Sequence, residues 1–150
     1  MPERTPPGGE GTFLVEVEGA LELRWTERGW EQLLCRGDVD AVLYELLHGI
    51  TAAQAQSYEF RHRRPGEDSR RQWMAMQVRR LGELDPAWEE RARADYAKLL
   101  AEHPFDDQLA RRAERWGALM ARGLPRAEAV AQAERELPSI PPTDADRRVG

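Results

Sequence analysis

Residues 12–25 read TFLVEVEGALELRW, and this stretch decides the fold class of the chain. Apolar side chains alternate with other residues on both sides of Gly19, which is the pattern of two β-strands joined by a turn. A three-residue loop at 18–20 puts all the alternating apolar side chains on one face of the hairpin. These residues are Phe13, Val15, Val17, Leu21, Leu23 and Trp25. Because an isolated hairpin is marginal in water, this face is predicted to pack on the elements that follow.

Signals of helix ends dominate the chain after residue 25. Polar caps, glycine stops and prolines at first helical positions divide it into six or seven short helices. The predicted fold class is therefore α+β and mostly α, with an N-terminal β-hairpin packed on a bundle of those helices. The predicted helix starts are Thr26, Asp38, Thr51, Ser69, Asp85, Asp106 or Asp107, and Pro125, and the first two helices are predicted to stop at Gly37 and Gly49.

The length and composition indicate one soluble domain. The chain has 150 residues, of which 41% are apolar and 33% charged, enough for a core without metal or disulfide support. Proline, glycine and charge at the two ends predict flexible tails at 1–11 and 138–150, flanking a single domain at 12–137. We expect a cytoplasmic protein, because there is no signal-peptide pattern, no run of about 20 apolar residues and only one cysteine, Cys35.

The basic residues are concentrated in one stretch of an acidic chain. The net charge is −5, but residues 61–80 hold seven arginines and only two acids. Arg70 and Arg71 fall in the predicted first turn of a helix, where the helix dipole disfavours cations, so they point to a use beyond stability. The stretch is interpreted either as a solvated turn between two helices or as a turn whose five arginines bind an acidic protein surface, a second copy of this chain included. This arginine cluster consists of Arg61, Arg63, Arg64, Arg70 and Arg71.

The same arginines leave a further interpretation open, in which they bind nucleic acid. An acidic chain is a poor generic nucleic-acid binder, and no interleaved aromatic platform, helix-turn-helix or zinc-finger spacing surrounds the cluster. Protein is therefore the favoured partner.

Trp30 is the tryptophan most expected at the surface, because its predicted helix is short and interrupted by Gly29. An exposed tryptophan is a strong anchor for a protein partner, which makes Trp30 a candidate partner-binding residue, although burial in the core is the favoured interpretation.

Catalytic and metal-binding constellations are not expected. The serines lie in no nucleophile-elbow context, and no glycine-rich phosphate loop follows a strand. Glu45 with His48, and Glu59 with His62, have the Glu-x-x-His spacing of di-metal bundles, but such bundles need two further glutamates from separate long helices. We expect no catalytic residue, no metal and no cofactor.

Residues 15–34 and 38–49 resemble the start of small phage tail assembly chaperones. The segment VEVEGALELRWTERGWEQLL, followed by DVDAVLYELLHG, shares their short N-terminal hairpin with a glycine and a Leu-x-Leu-Arg rhythm, and the chain shares their size and acidity. The resemblance covers residues 12–60. It implies a non-enzymatic protein that coats the tape-measure protein and recruits tail-tube subunits.

The predicted function is therefore a non-enzymatic, protein-binding assembly chaperone or adaptor, acting in phage tail assembly if the resemblance holds. The alternative is a small nucleic-acid-binding accessory protein that uses the basic stretch 61–80.

Overall fold

The computed structural model describes residues 10–138 and contains a small sheet followed by helices. The strands are β1 (Gly11–Val17), β2 (Ala20–Glu27) and β3 (Trp30–Gly37). The helices are α1 (Val39–Arg61), α2 (Ser69–Leu84), α3 (Pro86–Glu102), α4 (Asp107–Ala121) and α5 (Arg126–Glu136). The predicted class, α+β and mostly α, is confirmed. The predicted hairpin is in fact a three-stranded antiparallel sheet in the order β1-β2-β3, and five helices replace the predicted six or seven.

The described residues form two compact units. The first holds residues 10–55 and 76–93, and the second holds residues 56–75 and 94–138. A single domain at 12–137 stays a prediction. The predicted tails, 1–11 and 138–150, lie almost entirely outside the described residues.

Two turns of the same kind connect the three strands. Glu18-Gly19 joins β1 to β2 and Arg28-Gly29 joins β2 to β3, each with both residues at positive φ: 53° and 79° in the first turn, 50° and 81° in the second. Two consecutive positive-φ residues make a type I′ turn, whose twist matches that of antiparallel strands. Each turn therefore fixes a tight two-residue hairpin.

The predicted hairpin register is wrong, because the turn is shorter than the three-residue loop expected at 18–20. Val17 pairs with Ala20, so Leu14 lies opposite Leu23 and Val15 opposite Glu22. Phe13, Val15 and Val17 consequently share one face of the sheet, and Leu21, Leu23 and Trp25 share the other. Val15 and Leu23 are both buried, so the two faces each contribute to the core.

The helix predicted from Thr26 to Gly37 is also wrong, since this segment ends β2 and forms β3. Arg28-Gly29 repeats the turn chemistry of Glu18-Gly19 and sends the chain back along β2. A bulge at Leu34 interrupts the pairing: Leu33 lies opposite Arg24 and Cys35 opposite Leu23. The bulge explains why the strand did not show a regular period of two.

The two helices predicted on either side of Gly49 are one continuous helix, α1. Thr51 does not cap a new helix; its buried hydroxyl donates to the carbonyl of Leu47 at 2.7 Å and lies 3.2 Å from that of His48. A threonine bonded back to the preceding turn is accommodated inside a helix. This merger, together with the loss of the Thr26 helix, accounts for the smaller number of helices.

The other five predicted helix starts, at Asp38, Ser69, Asp85, Asp106 and Pro125, are confirmed within a residue. The Asp85 carboxylate accepts a hydrogen bond from the Ala87 amide at 2.7 Å, with Pro86 at the first position of α3. Asp106 caps α4 by accepting from the Leu109 amide at 2.7 Å. At α2 the carboxylate that caps the helix belongs to Asp68, not Ser69, because the Arg70 amide donates to it at 3.0 Å.

The core of the first unit is built around α1 and parts of α2 and α3. Tyr44 and Trp88 meet edge to face with their ring centroids 6.0 Å apart, and the Trp88 indole donates to Asp40 at 3.1 Å. Gln77 is fully buried and donates to the carbonyl of His48 at 2.9 Å. The fully buried Leu81 completes this core.

Candidate protein-binding surfaces

The tip of the β2–β3 hairpin carries the most exposed large apolar side chain among the described residues. Trp30 is 81% exposed, because it directly follows the Arg28-Gly29 turn. A cleft of about 410 Å³ lies beside it, lined by Trp25, Glu27, Arg28, Trp30, Glu31 and Gln32. An exposed indole beside a concave surface with a charged rim is the usual form of a protein-binding anchor. We call these six residues the tip cleft.

The outer edge of β3 is a second exposed apolar feature. Within residues 10–138 the strand order leaves β3 paired on one side only, and Leu33 and Leu34 are 51% and 42% exposed. Free strand edges with apolar side chains are templates for pairing with another strand. The sequence interpretation missed these residues because it placed them inside a helix, where they were expected to be buried.

The face of the sheet that carries Glu22 holds a network of charges. The Glu22 side chain is almost fully buried, accepts hydrogen bonds from Arg24 and lies 3.4 Å from the Arg36 guanidinium. Arg24 also pairs with Glu31, and Arg36 with Glu18. A buried carboxylate needs such partners, so this network fixes β3 onto β2.

Three members of the arginine cluster lie at the end of α1 and just after it. Arg61 donates to the carbonyl of Ser57 at 3.1 Å, and Arg63 donates to the buried carboxylate of Glu59 at 2.8 Å. Arg64 lies 3.8 Å from Glu67 and is largely exposed. Hydrogen bonding to Glu59 raises the pKa of Arg63. Much of the positive charge that was predicted to bind a partner therefore already has contacts within the chain.

The other two arginines of the cluster tie the start of α2 to the start of α4. Arg70 donates to both Asp68 oxygens and to the carbonyls of His103 and Pro104 at 2.9 and 2.8 Å. Arg71 forms a bidentate pair with Asp107 at 2.9 and 3.0 Å. Both arginines lie in a first helical turn, a position that suggested a use beyond stability. These contacts within the chain explain why arginines occur there.

Asp68 is the centre of this arrangement. Besides its bonds from Arg70, its carboxylate accepts the Asp106 amide at 2.9 Å, and its own amide donates to Asp107 at 2.9 Å. The hydrogen bonds from Arg70 are the main reason why the pKa of Asp68 falls from its ordinary 3.8 to about 2. The ionised carboxylate therefore holds the second unit together.

Replacing Asp68 with asparagine is expected to lower the melting temperature near neutral pH and to have little effect near pH 2. The folded-state pKa is depressed, so the ionised form stabilises the fold above pH 3.8, and this contribution is lost as the pH falls toward about 2. Thermal melts of both proteins across this pH range measure the difference. Asp95→Asn, at an exposed pair with Lys98, is the matched control. A difference that does not change with pH contradicts the role given to Asp68.

Exposed aromatic residues accompany the arginines at the end of α1. Phe60 is 76% exposed, and Tyr58 stacks on His62 with centroids 4.2 Å apart. A cavity of about 670 Å³ in the same unit is lined by Arg63, Asp68, Arg70, Leu109 and Trp116 among others, but its charged groups already serve the pairs described above. The sequence interpretation placed no exposed aromatic here.

The Glu-x-x-His pair at Glu59 and His62 is occupied by other contacts. The Glu59 carboxylate is bonded by Arg63, and Nδ1 of His62 lies 2.9 Å from the Tyr58 carbonyl. No group of three or more potential metal ligands occurs among residues 10–138. In the same part of the chain, no helix is both long and apolar enough to cross a membrane.

Comparison with protein families gives a match to a family of immunity proteins. The family model of immunity protein 63 (Imm63) matches residues 18–98, more than half of the chain. The chain belongs to the Imm63 family of immunity proteins. The matched region contains the tip cleft, β3, and the whole arginine cluster. No curated protein and no solved structure matches.

Membership of Imm63 corrects the predicted function. The resemblance to phage tail assembly chaperones is wrong, and with it the assembly-chaperone function. It rested on the hairpin pattern and the helix that follows over residues 12–60, with the size and acidity of the chain, and none of these features is specific to one family. The nucleic-acid alternative is wrong as well, because the matching family is one of immunity proteins. Three of the arginines on which it depended, Arg63, Arg70 and Arg71, are paired with carboxylates of the chain. Immunity proteins bind a partner toxin protein, so the prediction of a protein partner is supported.

Proposed function

We propose that this Imm63 protein neutralises a toxin protein by binding it through the tip cleft, with Trp30 as the anchor. It acts in the cytoplasm and catalyses nothing itself. The observation that carries the proposal is the 81% exposure of Trp30 inside the region matched by the family. A soluble protein gains nothing in stability from an indole held in water, so its exposure favours a use in binding.

The surroundings of Trp30 support this choice of surface. Trp25 lines the same cleft and provides further apolar area, while Glu27 and Arg28 supply charges of both signs at the rim. Interfaces are commonly built in this way, with an aromatic centre that loses its water and a polar edge that orients the partner. No hydrogen bond or ion pair within the described residues needs the Trp30 ring, which leaves it available to a toxin.

The arginine cluster is a weaker candidate for the same role. Arg63, Arg70 and Arg71 are engaged by Glu59, Asp68 and Asp107, and a partner would have to compete with those carboxylates. Contact of the cluster with the toxin stays a prediction, and the double variant Arg63→Glu/Arg64→Glu tests it alongside the tip cleft.

Growth rescue tests the proposed function. The candidate toxin is the polypeptide encoded by the gene adjacent to that of this chain, produced from an inducible promoter in a susceptible host. Co-production of the immunity protein is expected to restore growth, whereas an empty vector does not. Arrest of growth at equal toxin levels despite abundant, folded immunity protein contradicts the proposal.

A further inference from the structure

We propose that β3 pairs, antiparallel and edge to edge, with β3 of a second copy of this chain, forming a continuous six-stranded sheet. The proposal goes beyond toxin binding and concerns the free edge of β3, whose first residues, Glu31 and Gln32, also line the tip cleft. It rests on three features of the strand: its unpaired backbone, the symmetric placement of its charges, and its exposed leucines.

The backbone of β3 offers hydrogen-bonding groups at the outer edge. Pairs in an antiparallel ladder alternate between hydrogen-bonded and non-hydrogen-bonded, and the pair of Glu27 and Trp30 beside the turn is of the bonded kind. Along β2, Thr26 and Glu22 are then in non-bonded pairs, so their partners Glu31 and Arg36 direct amide and carbonyl groups away from β2. These groups point to the edge that the strand order leaves free.

The bulge at Leu34 gives the two charged residues a common face. In a regular strand, residues five apart point to opposite faces. Here Glu31 lies opposite Thr26 and Arg36 lies opposite Glu22, and those two positions of β2 are four apart and share a face. Glu31 and Arg36 therefore lie on the same side of the sheet, one toward each end of β3.

This placement makes β3 complementary to itself. A two-fold axis through Leu33 sets Glu31 of each copy opposite Arg36 of the other, because the bulge lets Leu34 and Cys35 together occupy one position of the ladder. Two opposite-charge pairs form in this way, alongside the contacts that Glu31 and Arg36 already make with Arg24 and Glu22. Gln32 then lies opposite Cys35, and the exposed Leu33 of one copy meets that of the other at the axis. The two tip clefts lie at opposite ends of the paired strands.

Sedimentation of purified full-length chain over a range of concentrations, without any toxin, tests the charge pairs. Wild type is expected to form a dimer that dissociates on dilution. Glu31→Arg alone and Arg36→Glu alone are each expected to be monomeric, and an equimolar mixture of the two variants is expected to recover the dimer. Mixing the two variants cannot restore the fold of either chain, nor the intrachain pairs of Glu31 with Arg24 and of Arg36 with Glu18. Recovery of the dimer therefore reports the interface alone. Glu16→Arg, the same charge change on β1, is the control and should leave the dimer intact.

A cross-link provides an independent measurement of the register. Cys35 is the only cysteine, and Gln32→Cys places a thiol directly opposite it in the second copy, within the spacing that a disulfide requires. Under mild oxidation by diamide this variant is expected to form a covalent dimer, whereas Gln32→Cys/Cys35→Ser should not. A wild type that stays monomeric at all concentrations, single variants that dimerise as well as wild type, or failure of the cross-link each overturns the proposal without bearing on toxin binding.

Discussion

Replacing Leu81 with alanine is expected to lower the free energy of unfolding by about 2–5 kcal/mol. Leu81 has no exposed surface and is one of the largest fully buried side chains among the described residues. Removing one methine and two methyl carbons takes apolar surface out of the core and leaves a cavity that the surrounding helices only partly close. Denaturant unfolding followed by circular dichroism measures the change.

The matched control for Leu81 lies one turn further along α2. Leu84 is 56% exposed, so Leu84→Ala removes the same atoms from a site already in contact with water. Its expected effect is within about 0.5 kcal/mol. Equal effects of the two substitutions would show that Leu81 is not part of a packed core.

Replacing Trp30 with alanine is expected to weaken toxin binding by at least about 2 kcal/mol, roughly a 30-fold increase in Kd. The substitution removes the large apolar group that the tip cleft presents, while the stability of the chain should change little because the ring is exposed in the free protein. Titration calorimetry with the purified toxin measures the affinity, and thermal melting checks the fold.

Two further variants test whether the effect is specific to Trp30 or follows from the loss of any exposed aromatic side chain. Trp30→Phe keeps a ring and should retain part of the affinity. Phe60→Ala removes another highly exposed aromatic side chain, in the second unit, and should leave the affinity unchanged. If Phe60→Ala or Arg63→Glu/Arg64→Glu weakens binding while Trp30→Ala does not, the toxin uses the end of α1 and not the hairpin tip.

Helix ends were predictable wherever the capping chemistry is local. Asp85 with Pro86, and Asp106, bond to amides two or three residues ahead, and a short stretch of sequence contains everything that these caps need. Thr51 failed as a signal because its hydroxyl bonds backward into α1. Threonine can serve a helix end or a helix interior, and only the surrounding packing decides which.

The sheet was less predictable than the helix ends. A turn that is one residue shorter than expected moves every side chain of one strand to the opposite face of the sheet relative to its partner strand. Expecting a loop at 18–20 gave a single apolar face, whereas the type I′ turn at Glu18-Gly19 divides the apolar residues between two faces. Arg28-Gly29 carried the same signal and was not recognised. The bulge at Leu34 then obscured the alternation of β3, which made a short apolar run resemble a helix.

The candidate site was predictable in part. Trp30 was singled out as the tryptophan most expected at the surface because of the neighbouring glycine, but burial in the core was the favoured interpretation and the element was wrong. The pairing of the arginines was not predictable, since Arg71 meets Asp107 across 36 residues of sequence and Arg70 meets main-chain carbonyls just as distant. The function could not be predicted from the hairpin pattern, because tight hairpins with alternating apolar residues occur in proteins of unrelated function.

The most direct test of toxin neutralisation is a titration of the purified toxin with the full-length immunity protein, in which toxin activity and complex formation are measured on the same samples. We predict that activity falls in proportion to the complex formed and reaches zero at a stoichiometric ratio, with Trp30→Ala requiring a large excess. Full toxin activity in the presence of excess folded immunity protein would contradict the account.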